Sequence, residues 1–524
     1  MIKDEAFFGF ARTGELNGFQ YPGIMRSGKG GQIVATGTEI EVLGEKIQRR
    51  IFYPDAIESS GSDRFLTLEN LVLIPNGIEL LQRPAKLIER IHQVRKSLGF
   101  GKLIYVQGIS DPYLIPALVY AGVQLFDDSY PVAEGLEGIK YTMFGKSKSD
   151  QNTVEENTSF IEAESALLRK SIENGTLREI VEKFAFSSKA LEIMRILDRY
   201  YYAEMEAVYP VRTPYIKANG IEALERPDLK RYREKLSSEF KKPDDVRIAL
   251  IMPCSARKPY STSKSHQAIL SRISDFRRYI HEIIVTSPVG VVPRELEDSY
   301  PARFYDIPVI GMWYEEEKKM MSDLLLQYFK RNTYDKVIAF IPEDLNFIIP
   351  SLPAGSEVIS GGASVTGNLS KLKSALKESV SLYGKEKPSD RRLETYRSIA
   401  AFQFGNWIRD YLSGAKIINS YNQDMLTLKG NILLVYNREL GKFTINKRSA
   451  EFFLEQGRYL VEIDNFKPTA NVYAVGVLDC TSDVRPEDEV VLTHKGEIKG
   501  VGIAKMPPDA MKQLKKGTAV KVRN

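Results

Sequence analysis

Three runs near the middle of the chain are almost continuously apolar: VRIALIMP (246–253), EIIVTSP (282–288) and KVIAFIPED (336–344). A strand that alternates apolar and polar residues keeps one wet face, whereas one that is apolar throughout is buried on both. The runs are separated by stretches with helical spacing, such as SHQAILSRISDFRRYIHE (265–282). This pattern predicts an open parallel sheet with helices on both faces, occupying 241–384. Each run ends in a polar or proline-rich segment: Pro253-Cys254-Ser255, Ser287-Pro288 and Pro342-Glu343-Asp344. In open α/β sheets ligands bind outside the carboxyl ends of the strands, so these segments are the expected lining of a site.

The rest of the chain is organised around that sheet. With 524 residues, roughly three to four domains are expected. From about 65 to 145, β-rich runs alternate with helical ones, which predicts a parallel α/β layer or barrel. The stretch 155–240 is mostly helical by periodicity, and KKPDD (241–245) reads as a linker. A second linker, GKEKPSD (384–390), precedes a helix from 391 and a β-rich region. The last 58 residues, 467–524, are β-rich again, with HKGE (494–497) as a hairpin turn.

Composition excludes several classes. There are two cysteines and four histidines, so a disulfide framework and a cysteine zinc site both fail on count. The histidines are scattered, and no metal is expected. No apolar run approaches the roughly 20 residues a membrane helix needs. The N-terminus MIKDEAFFGFARTGEL has no apolar signal core. A cytoplasmic protein without a membrane partner is expected. The net charge of +5 says little, but Lys515, Lys516, Lys521 and Arg523 crowd the C-terminal end. They suit phosphate contact, as they would suit a solvated tail.

One loop concentrates scarce residues. PCSARKPYSTSKSH (253–266) holds one of the two cysteines and one of the four histidines beside Lys258 and Tyr260. Nearby cations and helix N-termini favour a thiolate, so Cys254 is a candidate nucleophile. His266 and Lys258 are candidate acids or bases, and Tyr260, Ser263 and Ser287 candidate donors to a polar ligand. The bland alternative is a small core cysteine, a solvated loop and a polar residue at a helix start. In TSPVGVVPRELE (286–297), Arg294 could clamp a carboxylate and Glu295 hold an ammonium, which together suit an amino acid. An ordinary Arg-Glu pair opening a helix fits the same residues.

The loop also carries a resemblance. Pro253, Cys254, Lys258, Pro259, Tyr260, Ser263 and His266 match in spacing the Pro-Cys…Lys-Pro-Tyr…Ser…His signature of the archaeosine synthase family. That family is the archaeal tRNA-modifying paralogue of the tRNA-guanine transglycosylases. GISDPYLIPALVYAGVQLFDDSYP (108–131) resembles a transglycosylase barrel segment, and IAAFQFG (399–405) resembles the opening of the domain that precedes the PUA module. ANVYAVGVLDCTSDVRPEDEVVL (470–492) resembles a PUA domain, a small RNA-binding β-barrel.

The resemblance implies a multidomain α/β architecture. It comprises an N-terminal TIM-like barrel (1–240), the middle open parallel α/β domain (241–384), a small α+β domain (391–464) and a C-terminal PUA β-barrel (467–524). It implies an enzyme that adds the side-chain amine of lysine to the nitrile of 7-cyano-7-deazaguanine in the D-arm of tRNA. No cofactor is needed, lysine being a co-substrate. A radical S-adenosylmethionine partner enzyme would act next. Lys495, Lys499, Lys505, Lys515, Lys516, Lys521 and Arg523 would contact RNA, and homo-oligomerisation stays open.

There are departures from the transglycosylases. Their cysteine zinc site cannot form here, and their Asp-Ser-Gly is absent, although Asp127 aligns with their nucleophilic Asp. Asp127 is therefore a candidate for binding the base. Two rival readings are a zinc-free transglycosylase that exchanges guanine, and a non-catalytic tRNA-binding subunit.

Overall fold

The computed structural model describes residues 2–36, 39–48, 65–308, 311–360, 366–384 and 390–523. Contacts divide the chain into two compact units, one of 1–214 with 456–524 and one of 215–455. No described helix is long and apolar enough to cross a membrane.

The second unit is built on the three apolar runs. Its five-stranded sheet has the order Gly290–Pro293, Ile280–Thr286, Ile248–Pro253, Lys336–Ile341, Glu357–Ser360. The last four run parallel, and Gly290–Pro293 is antiparallel to its neighbour. Ile248, Leu250 and Met252 point to one face and join Ile269, Ile338, Phe340, Leu372 and Leu376 in a closed apolar core. Ala249 and Ile251, on the other face, are equally buried, as unbroken hydrophobicity requires.

The predicted 265–282 helix is shorter than its pattern. Lys264–Arg272 is α-helical, Ser274–Tyr279 is a 3-10 turn, and Ile280, His281 and Glu282 already belong to the strand. A strand buried on both faces has no periodicity to separate it from a buried helix.

The second unit takes in residues before 241, beginning at Tyr215. The Ile216–Lys217 strand pairs with Tyr305–Asp306, and the Pro227–Ser238 helix is anchored on the middle sheet. Its Tyr232 donates to the Val291 carbonyl at 3.0 Å and its Arg233 to the Pro288 carbonyl at 2.8 Å. The region from 391 forms a helix, Arg391–Phe404, beside a four-stranded antiparallel sheet over 416–445. Asp390 caps that helix by accepting from the backbone N–H groups of Arg392 and Leu393.

In the first unit a five-stranded sheet has the order Gly23–Met25, Leu125–Asp127, Leu103–Val106, Leu71–Ile74, Leu66–Thr67. Four of these strands run parallel. An eight-stranded closed ring, as a full TIM barrel requires, is not present among the described residues. The reason lies after Asp127. The next β-run folds back on itself as the antiparallel hairpin Ile139–Thr142/Gly145–Lys148, and from Val154 to Val208 the chain is helical.

The C-terminal module is a six-stranded sheet that also takes in Leu460–Ile463. Its hairpin turns at Lys495 and Gly496, both with positive φ (47° and 80°). That is the backbone a two-residue hairpin loop demands.

Candidate active site around Cys254

Ile248–Pro253 is the central strand of the middle sheet. From it the chain crosses to Ile280–Thr286 on one side and later to Lys336–Ile341 on the other. The carboxyl end of such a strand is a topological switch point, where neighbouring connections part and leave a crevice. Cys254 is the first residue beyond it. A cavity of about 270 Å³ opens there. Its walls include Cys254, Ser287, Pro288, Trp313, Glu317 and Asp344.

A hydroxyl chain backs the cysteine. The Thr286 hydroxyl is close enough to the Cys254 sulfur to favour its thiolate. Thr286 Oγ1 lies 2.5 Å from the Tyr305 hydroxyl, which lies 2.8 Å from that of Tyr260. Tyr260 is fully buried. The Lys258 ammonium sits over the Tyr305 ring, 3.9 Å from its centroid.

Burial pushes the Cys254 thiol above its ordinary pKa, while the Thr286 hydroxyl and the Lys258 charge pull it part of the way back. Burial likewise lowers the Lys258 ammonium, against the attraction of Cys254 and Asp306. The two groups are therefore drawn towards each other in proton affinity. An amine whose proton is held less tightly beside a buried thiol is a candidate to serve first as base and then as acid.

His266, Ser263, Arg294 and Glu295 hold the loop from behind. Ser263 caps the Lys264–Arg272 helix by accepting from the His266 backbone N–H at 3.2 Å. The His266 ring is bonded at both nitrogens. Arg294 Nη2 donates to Nδ1 at 3.1 Å, which leaves Nε2 to donate to the Pro253 carbonyl at 2.9 Å. Burial, then the Arg294 charge, lower its pKa to about 4. A neutral imidazole with both nitrogens engaged is a brace rather than a proton carrier.

Arg294 also binds Glu282 at 2.5 Å and Glu297 at 2.7 Å, and Glu297 accepts from the Ser261 backbone N–H at 3.0 Å. Burial disfavours the Glu295 charge, but His281 at 2.7 Å and Arg391 at 3.0 Å outweigh it and hold the carboxyl at about 2. Neither Arg294 nor Glu295 lines the Cys254 cavity. Both are ion-paired within the fold and line a separate cavity with Arg277, Arg278, Arg391 and Arg392.

Asp127 ends the Leu125–Asp127 strand and is 2% exposed. Its carboxylate accepts from Tyr105 at 3.0 Å, from the Gly108 N–H at 2.7 Å, and from both the hydroxyl and the N–H of Ser129. With its lone pairs so engaged it orders the strand ends and is not presented to a ligand.

In the C-terminal module Lys495, Lys515 and Lys521 are exposed, with Lys516 less so. Lys499 pairs with Glu497, Lys505 with Glu487 and Arg523 with Glu489. No group of three or more metal-ligating side chains occurs among the described residues. Thr286, Tyr305 and Trp313 were not singled out from the sequence. Only Thr286, in the strand-end TSP, carried a positional signal.

Comparisons with known proteins bear on the whole chain. A family described as "Domain of unknown function (DUF5591)" matches residues 229–376, and a PUA domain matches residues 463–524. "Archaeosine synthase subunit alpha" of Thermoplasma acidophilum is 52% identical over 523 residues, covering 100% of both chains. The protein of that name from Thermococcus kodakarensis is 31% identical, covering 79% of this chain and 74% of its own. "tRNA-guanine(15) transglycosylase" of Methanocaldococcus jannaschii is 23% identical, covering 76% of this chain and 57% of its own.

Proposed function

The chain belongs to the archaeosine synthase subunit alpha family, and on that footing we propose that Cys254 joins the side-chain amine of free lysine to the nitrile of 7-cyano-7-deazaguanine in tRNA. Its place is in archaeosine biosynthesis, as a tRNA-modifying transferase with a PUA domain. The observation that supports the chemistry is Cys254 lining a cavity on the switch point, with Lys258 behind it and outside the lining, each acting on the other's charge.

The steps follow from that pair. Lys258, neutral, takes the thiol proton. The thiolate sulfur bonds to the nitrile carbon, one C–N π bond opens, and its electron pair takes the proton back from Lys258. The product is a thioimidate. The neutral amine of lysine then adds to the same carbon. The C–S bond breaks, sulfur leaves as thiolate, and the proton shed by the amine returns to the Cys254–Lys258 pair. Nitrile plus amine gives an amidine, with no water, oxidant or metal in the balance. Splitting one slow addition into two easier ones is what nucleophilic catalysis supplies.

Free lysine is the co-substrate and tRNA the substrate in this reading, and a radical S-adenosylmethionine enzyme would consume the amidine product. Guanine exchange at Asp127 is less well supported, because that carboxylate is saturated by donors. The test is to incubate the purified protein with nitrile-bearing tRNA and lysine, digest the tRNA and weigh the nucleoside. A gain of one whole lysine, without loss of water, is expected. An unchanged nucleoside would sink the proposal, and release of guanine would favour base exchange.

A further inference from the structure

One buried group in the cavity has no structural work to do. Ser287 is 1% exposed, and its Oγ has no hydrogen-bond partner among the described residues. A buried hydroxyl left unpaired is destabilising, so its persistence beside a cavity points to a ligand that completes it. Its position is fixed. Pro253 pairs with Val285 in register, so Cys254 emerges beside Thr286, Ser287 follows one residue on, and both Cys254 and Ser287 line the cavity. Arg233 holds the turn by donating to the Pro288 carbonyl at 2.8 Å.

The remaining lining says what kind of ligand fits. The Trp313 indole and the rings of Pro253, Pro288, Pro308 and Pro342 provide flat apolar walls. The polar side chains away from Cys254 and Ser287 include two carboxylates. Glu317 Oε2 accepts from the Tyr314 N–H at 2.9 Å at the start of its helix. Asp344 Oδ2 accepts from Trp313 Nε1 at 3.2 Å, which leaves Oδ1 as an acceptor at the rim. No lysine, arginine or histidine lines the cavity among the described residues.

That last fact separates two ligands of similar size. A free amino acid would bring a carboxylate with no cation to meet it, and uncompensated burial of a charge is costly. A guanine-type base brings a planar ring for the apolar walls and a donor edge, its N1–H and exocyclic amino group, for a carboxylate. Flipped bases are read in this way, by stacking between apolar side chains and by hydrogen bonds to the pairing edge.

We infer that the cavity at the switch point binds the cyano-deazaguanine base itself, with its pairing edge on Asp344, its face on Trp313 and its nitrile between Cys254 and Ser287. Ser287 Oγ donates to the nitrile nitrogen as sulfur attacks the carbon, taking up the charge that develops there. Lysine then enters from outside the cavity. This assignment rests on the proposed reaction and adds to it the site of the base and a third catalytic residue.

The test uses the full-length protein and two probes, free 7-cyano-7-deazaguanine and free lysine, titrated calorimetrically. The base should bind saturably at one site, lysine should not displace it, and Asp344→Asn should weaken binding about 10-fold or more. With nitrile-bearing tRNA, Ser287→Ala should lower kcat about 10²–10³-fold, as loss of one such donor does elsewhere, and leave base affinity within a few fold. Absence of saturable base binding, displacement of base by lysine, or an Asp344→Asn effect confined to the KM for lysine would each overturn the assignment. If wild-type protein binds the base yet adds no lysine, the reaction fails and the site stands. If it adds lysine without binding the base, only the site fails.

Discussion

At the scale of single residues, the site separates groups that do chemistry from groups that hold them. In the proposed reaction Lys258 carries the proton for Cys254, whose charge it feels. Lys258→Met should lower the single-turnover rate of lysine addition about 10²–10⁴-fold, the usual worth of general acid–base catalysis, with tRNA affinity unchanged in a filter-binding assay. Lys258→Arg should not rescue it, because a guanidinium keeps its proton.

His266 predicts a stability effect instead. Its pKa is lowered from 6.5 to about 4 in the folded chain, chiefly by burial. The unfolded chain therefore binds a proton that the folded one does not, and stability falls as pH drops from about 6.5 towards 4. The loss at that single position is up to ~3 kcal/mol. Thermal melts across this window should show a steep decline in wild type and a shallower one in His266→Gln. Equal slopes would contradict the assignment. The corresponding window for Glu295 lies lower, between 4.5 and about 2, so the two are distinguishable.

At the scale of elements, the turn after Ile280–Thr286 carries Ser287, and Gly290 closes it. Gly290 has φ of +98°, and a Cβ there would come within 2.5 Å of Leu324 Cδ2. Gly290→Ala should cost about 1–3 kcal/mol from backbone strain alone, seen as a lower denaturation midpoint. It should also depress lysine addition by moving Ser287. A stable, fully active variant would show that the turn tolerates a side chain.

This is also the scale at which the sequence was most and least informative. The doubly buried strands were plain from 246–253, 282–288 and 336–344, because burial on both faces leaves no polar position. The prediction that Cys254 and Ser287 end adjacent strands followed. What the sequence hid was pairing at a distance. Arg294 and Glu295 read as ligand groups because their partners, Glu282, His266, His281 and Arg391, come from other elements. Charge patterning along a chain does not reveal a neutralised pair. The partners of Asp127 were hidden in the same way, since Tyr105 and Gly108 reach it from the neighbouring strand and the turn after it.

At the scale of the molecule, the C-terminal module offers a PUA fold and a set of cations of unequal availability. Arg523 and Lys505 are held by Glu489 and Glu487, whereas Lys515 and Lys521 are exposed. Charge reversal at Lys515 and Lys521 together should weaken tRNA binding and reduce the slope of log affinity against log salt by about one to two. A slope unchanged from wild type would remove this face from the RNA contact. The resemblance in the Pro-Cys…His loop extends to the whole chain, as full-length similarity to an archaeosine synthase alpha subunit makes plain. Composition alone, at a net charge of +5, gave no hint of it.

The central claim is that Cys254 forms a bond to the nitrile carbon before lysine arrives. It is tested most directly by withholding lysine. Full-length protein mixed with nitrile-bearing tRNA and run on a denaturing gel should yield a protein–tRNA conjugate, which maps to the Cys254 peptide, disappears on adding lysine and is absent in Cys254→Ala. Wild-type protein that adds lysine rapidly, forms no such conjugate and keeps its turnover as Cys254→Ser would contradict it.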